Sequence, residues 1–290
     1  MKIDTLFIVG QTASGKSSLA MRLAKVLDGE IIAADSLTVY KGLDIGTAKP
    51  TQQDMRAVKH HMIDVADQSK PFTVSDFQTQ AKQAITNVHA KGKLAIVVGG
   101  SGLYVNSLLY DYKLGPAANT AERAEYESKT IEQLQSIILN AGYDLPENSQ
   151  NKRYLIRAIE QGGVRSGDIK MINGALVIGI RLDKDVLGER IRLRLKRMLD
   201  DGVLKEVQLA YERYDSDSEA LKGNIYQSLR PYFYQQISIN DALENSVRSD
   251  LKLAKKQYAW FKRNQAIYWF SDTNKAFKFV VDRLSQPKVG

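Results

Sequence analysis

The segment GQTASGKS, residues 10–17, brackets four residues with two glycines and follows them with Lys-Ser, the spacing of a phosphate-binding loop. Gly10 and Gly15 let the backbone of Gln11, Thr12, Ala13 and Ser14 curl so that successive N–H groups point at phosphate oxygens. Lys16 adds a full positive charge, and the helix expected to begin there adds its positive end. The Ser17 hydroxyl can hold Mg²⁺. A polyphosphate is therefore expected, but its use stays open. A kinase, a motor and an enzyme that only releases diphosphate all need such a cradle. The acidic residue that an ATPase carries at the end of a second strand is missing, because LAIVVGG ends in Gly99 and Gly100. An arginine-rich lid of the kind small kinases use is not evident either. Asp35 and Ser101 each follow an apolar run and are the next candidates for chemistry. His60 and His61 stand in a chain with three histidines and no cysteine, so structural or orienting roles are expected of them.

The elements around these residues read as an α/β protein. DTLFIVG is a buried strand running into the loop, and SSLAMRLAKVL is a helix with Leu19, Leu23 and Val26/Leu27 on one side. GEIIAADS is a second strand, and it delivers Asp35 to the carboxyl edge of the sheet, where ligands of open α/β sheets gather. SDFQTQAKQAITNVHAKG is an amphipathic helix with Ser75 as cap and Gln78 three residues on. LAIVVGGSGLY is a third strand breaking into a glycine pair. This alternation predicts a P-loop NTPase-like, three-layer core around a parallel sheet. From about Gly115 the texture turns polar and helical. A small helical insertion is expected over 115–150, between a first part of the core (1–114) and its completion with a basic helical C-terminal part (151–290).

The length of 290 residues and the 43% apolar composition support a sizeable core. Without cysteine there is no disulfide and no thiolate metal site, which suits a cytoplasmic setting. The start lacks the pattern of a signal peptide, and no apolar run reaches the roughly 18–20 residues that cross a bilayer. The net charge of +8 points to a polyanionic partner. ERIRLRLKRML sets Arg190, Arg194 and Arg197 against a stripe of Leu187, Ile191, Leu195 and Met198. RSDLKLAKKQYAWFKRN interleaves bases with Tyr258, Trp260 and Phe261. Those two aromatics at its end, Trp260 and Phe261, are placed with the helix core in preference to base stacking.

Longer segments carry a resemblance. ADSLTVYKGLDIGTAKPT (34–51), KHHMID (59–64), GGSGLYVNSLL (99–109), IRAIE, RMLDDGVLKEV and AKKQYAWFKR, together with the loop, resemble the tRNA dimethylallyltransferases. The sequence departs from that pattern at Gln11 (usually Pro), Thr38 (usually Gln) and Tyr154 (usually Arg), and Ser17 and Ser101 replace threonines. The resemblance implies transfer of a dimethylallyl group from dimethylallyl diphosphate to N6 of adenosine 37 in tRNA, with release of diphosphate. It implies that residues 10–17 hold the diphosphate with Mg²⁺ on Ser17, and that Asp35 is the base. Ser101 then contacts the extruded adenosine and Arg194 reaches the active site. Asp35, Ser36, Leu37, Thr38, Ser101, Arg123, Arg153, Tyr154, Leu155, Ile156 and Arg157 fall where the family touches the anticodon arm. The departing diphosphate also explains a phosphate loop without a hydrolytic aspartate. A monomer without protein or membrane partners is expected. The competing readings are an ATP-dependent small-molecule kinase, a tRNA-binding relative that has lost catalysis, and an enzyme prenylating free adenine nucleotides.

Overall fold

The computed structural model of the chain describes residues 3–114, 120–162 and 170–285. Two compact units emerge, one from Met1–Asp111 with Met171–Gly290, the other Tyr112–Lys170. In the first unit β1 (Thr5–Gly10), α1 (Lys16–Val26), β2 (Gly29–Ala33), α2 (Gln52–Ala57), β3 (His60–His61), α3 (Val74–Ala90), β4 (Leu94–Gly99) and α4 (Gly102–Leu109) follow in order. The second unit holds α5 (Thr120–Ser128), α6 (Ile131–Asn140) and α7 (Lys152–Glu160). The first unit resumes with β5 (Ala175–Ile180), α8 (Lys184–Asp200), α9 (Val203–Arg213), a 3-10 turn at Glu219–Lys222, α10 (Asn224–Phe233), α11 (Ile239–Phe261), β6 (Tyr268–Phe270) and α12 (Thr273–Ser285).

The strands form one sheet in the order β3-β2-β4-β1-β5-β6, with every pair parallel. Parallel strands covered on both faces must be apolar on both, and Leu6, Phe7, Ile8 and Val9 are all fully buried. Their alternation sorts them into two cores. Phe7 and Val9 join Phe77 of α3, Val105 of α4, Ile191 of α8 and Ala254 of α11. Leu6 and Ile8 join Leu19 and Leu23 of α1 and Val280 of α12. The result is the expected three-layer α/β architecture. It brings the carboxyl ends of β1, β2, β4 and β5 to one edge, where residues 10–17, Asp35, Ser101 and Leu182 stand.

Several local expectations are corrected. Val26 is 59% exposed, because the buried line of α1 runs through Leu19 and Leu23 toward half-buried Leu27. The cap of α3 is Thr73, two residues before Ser75. Thr73 and Asp76 exchange the reciprocal bonds of a capping box, while Gln78 is buried and donates to the Ser107 carbonyl at 2.6 Å. The insertion is also larger than 115–150. Leu155, Ile156 and Ala158 of α7 share a small core with Leu134 and Ile138 of α6, so α7 belongs to the second unit and not to the completion of the core. The expected boundary near Gly115 lies outside the described residues.

Candidate active site

The phosphate loop is held by its backbone and by what surrounds it. Gly10 has φ +136°, and a Cβ there would lie 2.2 Å from the Ile180 carbonyl oxygen of β5. Ala13 adopts φ +57°, a left-handed turn paid by few side chains other than glycine. Gly15, with φ +96°, caps α1 without any side-chain bond, which leaves the first-turn N–H groups facing an incoming anion. Gln11 turns its side chain to the sheet edge, where Oε1 accepts the Leu182 N–H at 2.9 Å. Ser14 Oγ is buried with no hydrogen-bond partner among the described residues. The Lys16 ammonium donates to the Gln11 carbonyl. Burial draws its pKa from 10.5 down to about 8; the Asp35 carboxylate opposes this, and the Arg194 guanidinium adds to it.

Two helices from the far half of the chain close on this loop. From α8, Arg190 Nη1 donates to the Ser14 carbonyl at 3.2 Å and Arg194 Nη1 to Thr12 Oγ1 at 3.0 Å. Neighbouring helical positions are turned only about 100° apart, so these arginines flank the Ile191/Leu195 stripe and reach the loop. They do not form an opposite, outward face. From α11, Asp250 pairs with Arg194 and accepts from Asn224 Nδ2 at 2.7 Å, and Gln257 Oε1 accepts the Thr12 N–H at 2.7 Å. Asn224, Asp250 and Gln257 are not among the residues that the sequence singles out, and Arg190 stands there only as part of a basic helix face. The four-residue step from Arg190 to Arg194 and the seven-residue step from Asp250 to Gln257 were the available signal.

Asp35 stands between two cavities. The smaller, about 450 Å³, is bordered by Lys16, Ser17 and Thr38. The larger, about 810 Å³, is bordered by Ser36, Leu37, Ser101 and Trp260. Thr12, Asp35, Thr47, Gly100, Arg194 and Gln257 border both. Asp35 Oδ1 accepts the Leu37 N–H at 2.9 Å, and Oδ2 has no hydrogen-bond partner among the described residues. Ser101 Oγ accepts the Ser36 N–H at 3.1 Å, tying the ends of β4 and β2 together. Thr38, expected beside RNA, borders the smaller cavity with Lys16 and Ser17, and its hydroxyl is buried without a hydrogen-bond partner among the described residues. Gly99 leaves no room for an acidic side chain at the end of β4, since a Cβ there would lie 2.0 Å from the Ala34 carbonyl oxygen.

The remaining candidates sort by burial. His60 Nδ1 donates to the Val58 carbonyl at 2.8 Å while the residue borders the smaller cavity, and His61 Nε2 meets the Glu30 carboxylate at 2.8 Å. Burial alone would raise the Glu30 pKa, but the His61 and Lys91 hydrogen bonds hold it below the usual carboxylate range. Lys49 is nearly buried and pins the GLDIGTAKPT loop through the Tyr40 carbonyl at 2.6 Å, Asp44 at 2.7 Å and Asp64 at 2.6 Å. In the second unit Arg153 and Tyr154 are exposed, while Arg123 and Arg157 both pair with Glu160. Leu155 and Ile156, expected among RNA contacts, have their side chains in that unit's core. Phe261 is buried as expected, but Trp260 is 37% exposed on the larger cavity, so it is not a core residue.

Comparison with known proteins bears on the whole arrangement. A family model described as IPP transferase matches residues 38–264. The tRNA dimethylallyltransferase of Bacillus subtilis is 35% identical over 288 residues, 94% of this chain and 92% of that protein. The crystal structure of the full-length tRNA isopentenylpyrophosphate transferase from Bacillus halodurans superposes with a TM-score of 0.74 at 32% identity, covering 98% of this chain and 97% of that one. A eukaryotic dimethylallyltransferase, crystallised acting on tRNA, has a TM-score of 0.83 at 22% identity over 99% of this chain and 81% of its own, a likeness of fold alone. The matched stretch begins after both the phosphate loop and Asp35, so it is a separate line of support from theirs. With a family match over most of its length and near-complete coverage of relatives above 30% identity, this chain belongs to the IPP transferase family.

Proposed function

We propose that this protein is a tRNA dimethylallyltransferase that moves the dimethylallyl group of dimethylallyl diphosphate onto N6 of adenosine 37, releasing diphosphate. The observation that carries the reading is the position of Asp35 on the shared border of a cavity holding the phosphate loop and a second one holding Ser101. The donor fits the first and an extruded adenine the second. An exocyclic adenine amine is a poor nucleophile inside a base stack, and extrusion frees it. N6 then attacks the allylic C1, an N–C bond forms, and the C–O bond breaks with its electron pair leaving on diphosphate. Asp35 takes the N6 proton. The N–H groups at the start of α1, Lys16 and Arg194 offset the charge growing on the leaving group.

Among the described residues no three acidic, histidine or cysteine side chains cluster to hold a metal. Mg²⁺ would be held by the Ser17 hydroxyl with diphosphate oxygens and water, a donor set that suits this ion. When bound it would help neutralise the departing diphosphate. A monomer acting in the cytoplasm, where tRNA is found, is the proposed setting.

The test is incubation with unmodified tRNA and dimethylallyl diphosphate, followed by mass analysis of nucleoside 37. A gain of one C5H8 unit is expected, with no phosphoryl transfer from ATP to small acceptors in a parallel reaction. The reverse pattern overturns the reading in favour of a kinase, and RNA binding without product favours a relative that has lost catalysis. Asp35→Asn is expected to slow transfer by about 10²–10⁴-fold while diphosphate binding persists. Normal turnover in that variant would remove Asp35 from the mechanism.

A further inference from the structure

We propose that Asp250 is a positioning residue that fixes the Arg194 guanidinium at the border of the two cavities, where the departing diphosphate needs it; this rests on the transfer reading given above. Arg194 is held from two sides. Nη1 donates to Thr12 Oγ1 at 3.0 Å, and Nη2 donates to Asp250 Oδ2. A guanidinium is planar, so bonds from both terminal nitrogens set its plane as well as its place. Its other N–H groups have no partner among the described residues, and the residue borders both cavities. The pair with Asp250 thus spends one edge of the fork and leaves the rest for an anion.

Asp250 stands where a carboxylate is costly. The buried positions of α11 include Ala242, Val247, Ala254 and Phe261, and Asp250 interrupts that apolar line at 9% exposure. A buried carboxylate destabilises a fold unless it is paired and hydrogen-bonded. Both of its oxygens are engaged, Oδ2 by Arg194 and Oδ1 by Asn224 Nδ2 at 2.7 Å. Asn224 opens α10, so a third helix steadies the carboxylate that steadies the arginine. A buried ion pair adds little net stability over well-packed apolar side chains. What this one supplies is direction. The loop does not depend on it for attachment, because Gln257 separately accepts the Thr12 N–H at 2.7 Å.

The charges beside the loop separate this role from simple anion binding. Lys16, Arg190 and Arg194 stand there against Asp35 and Asp250. Neutralising Asp250 makes the site more positive, so its attraction for diphosphate in the ground state does not fall. The aim of Arg194 at the charge that develops on the leaving group is lost, and fixed aim is what a preorganised cation contributes to rate. Binding and turnover are therefore expected to part.

The experiment uses the full chain. It measures prenyl transfer at saturating tRNA and dimethylallyl diphosphate, and binding of inorganic diphosphate by calorimetry. Asp250→Asn is expected to lower kcat by about 10- to 100-fold, with diphosphate bound at least as tightly as by the native protein. In an Arg194→Gln background the same substitution is expected to change kcat by less than about twofold, since Asp250 acts through Arg194. Should Asp250→Asn fold poorly, Asp250→Ser takes its place with the same expectations. The proposal is overturned by a kcat within about twofold of native, by a loss of diphosphate affinity in step with kcat, or by an undiminished loss of kcat in the Arg194→Gln background. If the native protein transfers no prenyl group, the transfer reading falls and this proposal with it, whereas transfer that is indifferent to Asp250 sinks the proposal alone.

Discussion

The Lys16 ammonium sits in a place that disfavours a cation until an anion arrives. Burial lowers its pKa to about 8, with Asp35 pulling the other way and Arg194 reinforcing the shift. A diphosphate beside it restores the proton, so above pH 8 binding must take up a proton from solution. The affinity for inorganic diphosphate is therefore expected to weaken by about tenfold between pH 7 and pH 9. Titration calorimetry at the two pH values checks this, and Lys16→Met should bind weakly with little of that slope. Linkage also fixes a sign for stability. The folded pKa lies below the ordinary 10.5, so between about 8 and 10.5 the unfolded chain holds more protons, and this residue makes the ligand-free protein more stable as pH rises through that window.

At the scale of elements, the GLDIGTAKPT loop is set by one carboxylate from α9. Glu206 accepts the backbone N–H groups of Asp44, Ile45 and Gly46 and the Tyr226 hydroxyl, each at 2.8 Å. Tyr226 is fully buried, and burial followed by the nearby Glu206 charge pushes its phenol pKa well up. A Cβ on Gly46 would lie 2.6 Å from the Tyr226 hydroxyl, so the loop and α10 touch too closely for any side chain there. The next residue, Thr47, borders both cavities. Glu206→Gln turns an acceptor oxygen into a donor amide that faces N–H and O–H groups. Its expected cost is about 2 kcal/mol, seen as a fall of several degrees in Tm, with transfer weakened because Thr47 loses its setting. An unchanged melting curve would mean that the loop holds its shape without this carboxylate.

For the whole molecule the net charge of +8 makes association with RNA a counterion-release process. Raising salt from about 50 to 200 mM should weaken tRNA binding by at least about tenfold, measured by filter binding or anisotropy. Not all of that charge is available to RNA. Arg190 and Arg194 are committed to the phosphate loop, and Arg123 and Arg157 to Glu160. Lys256 and Arg153 have no acidic partner among the described residues, so charge reversal at these two should reduce the salt slope, whereas reversal at Arg190 should impair the donor site.

What the chain's order of residues determined by itself was everything that depends on neighbours in sequence. The Gly10–Ser17 spacing, the apolar runs that become β1, β2 and β4, and the Asp35 carboxylate at a strand end are all local patterns, and parallel strands then carry their ends to one edge. The short strands β3 and β6 escaped notice because two or three residues are too few to show a period. Tertiary structure alone decided which distant side chains meet. Gln257 reaches Thr12 across 245 positions and Glu206 reaches Gly46 across 160, and no spacing rule spans such gaps. The same limit explains α7, whose Leu155 and Ile156 fell among the expected RNA contacts although they pack against Leu134 and Ile138 of α6. It also explains Trp260, since an aromatic at helical spacing looks the same whether its face meets a core or a cavity. Burial is a property of what packs against a surface, and that is settled only when the helices have found their places.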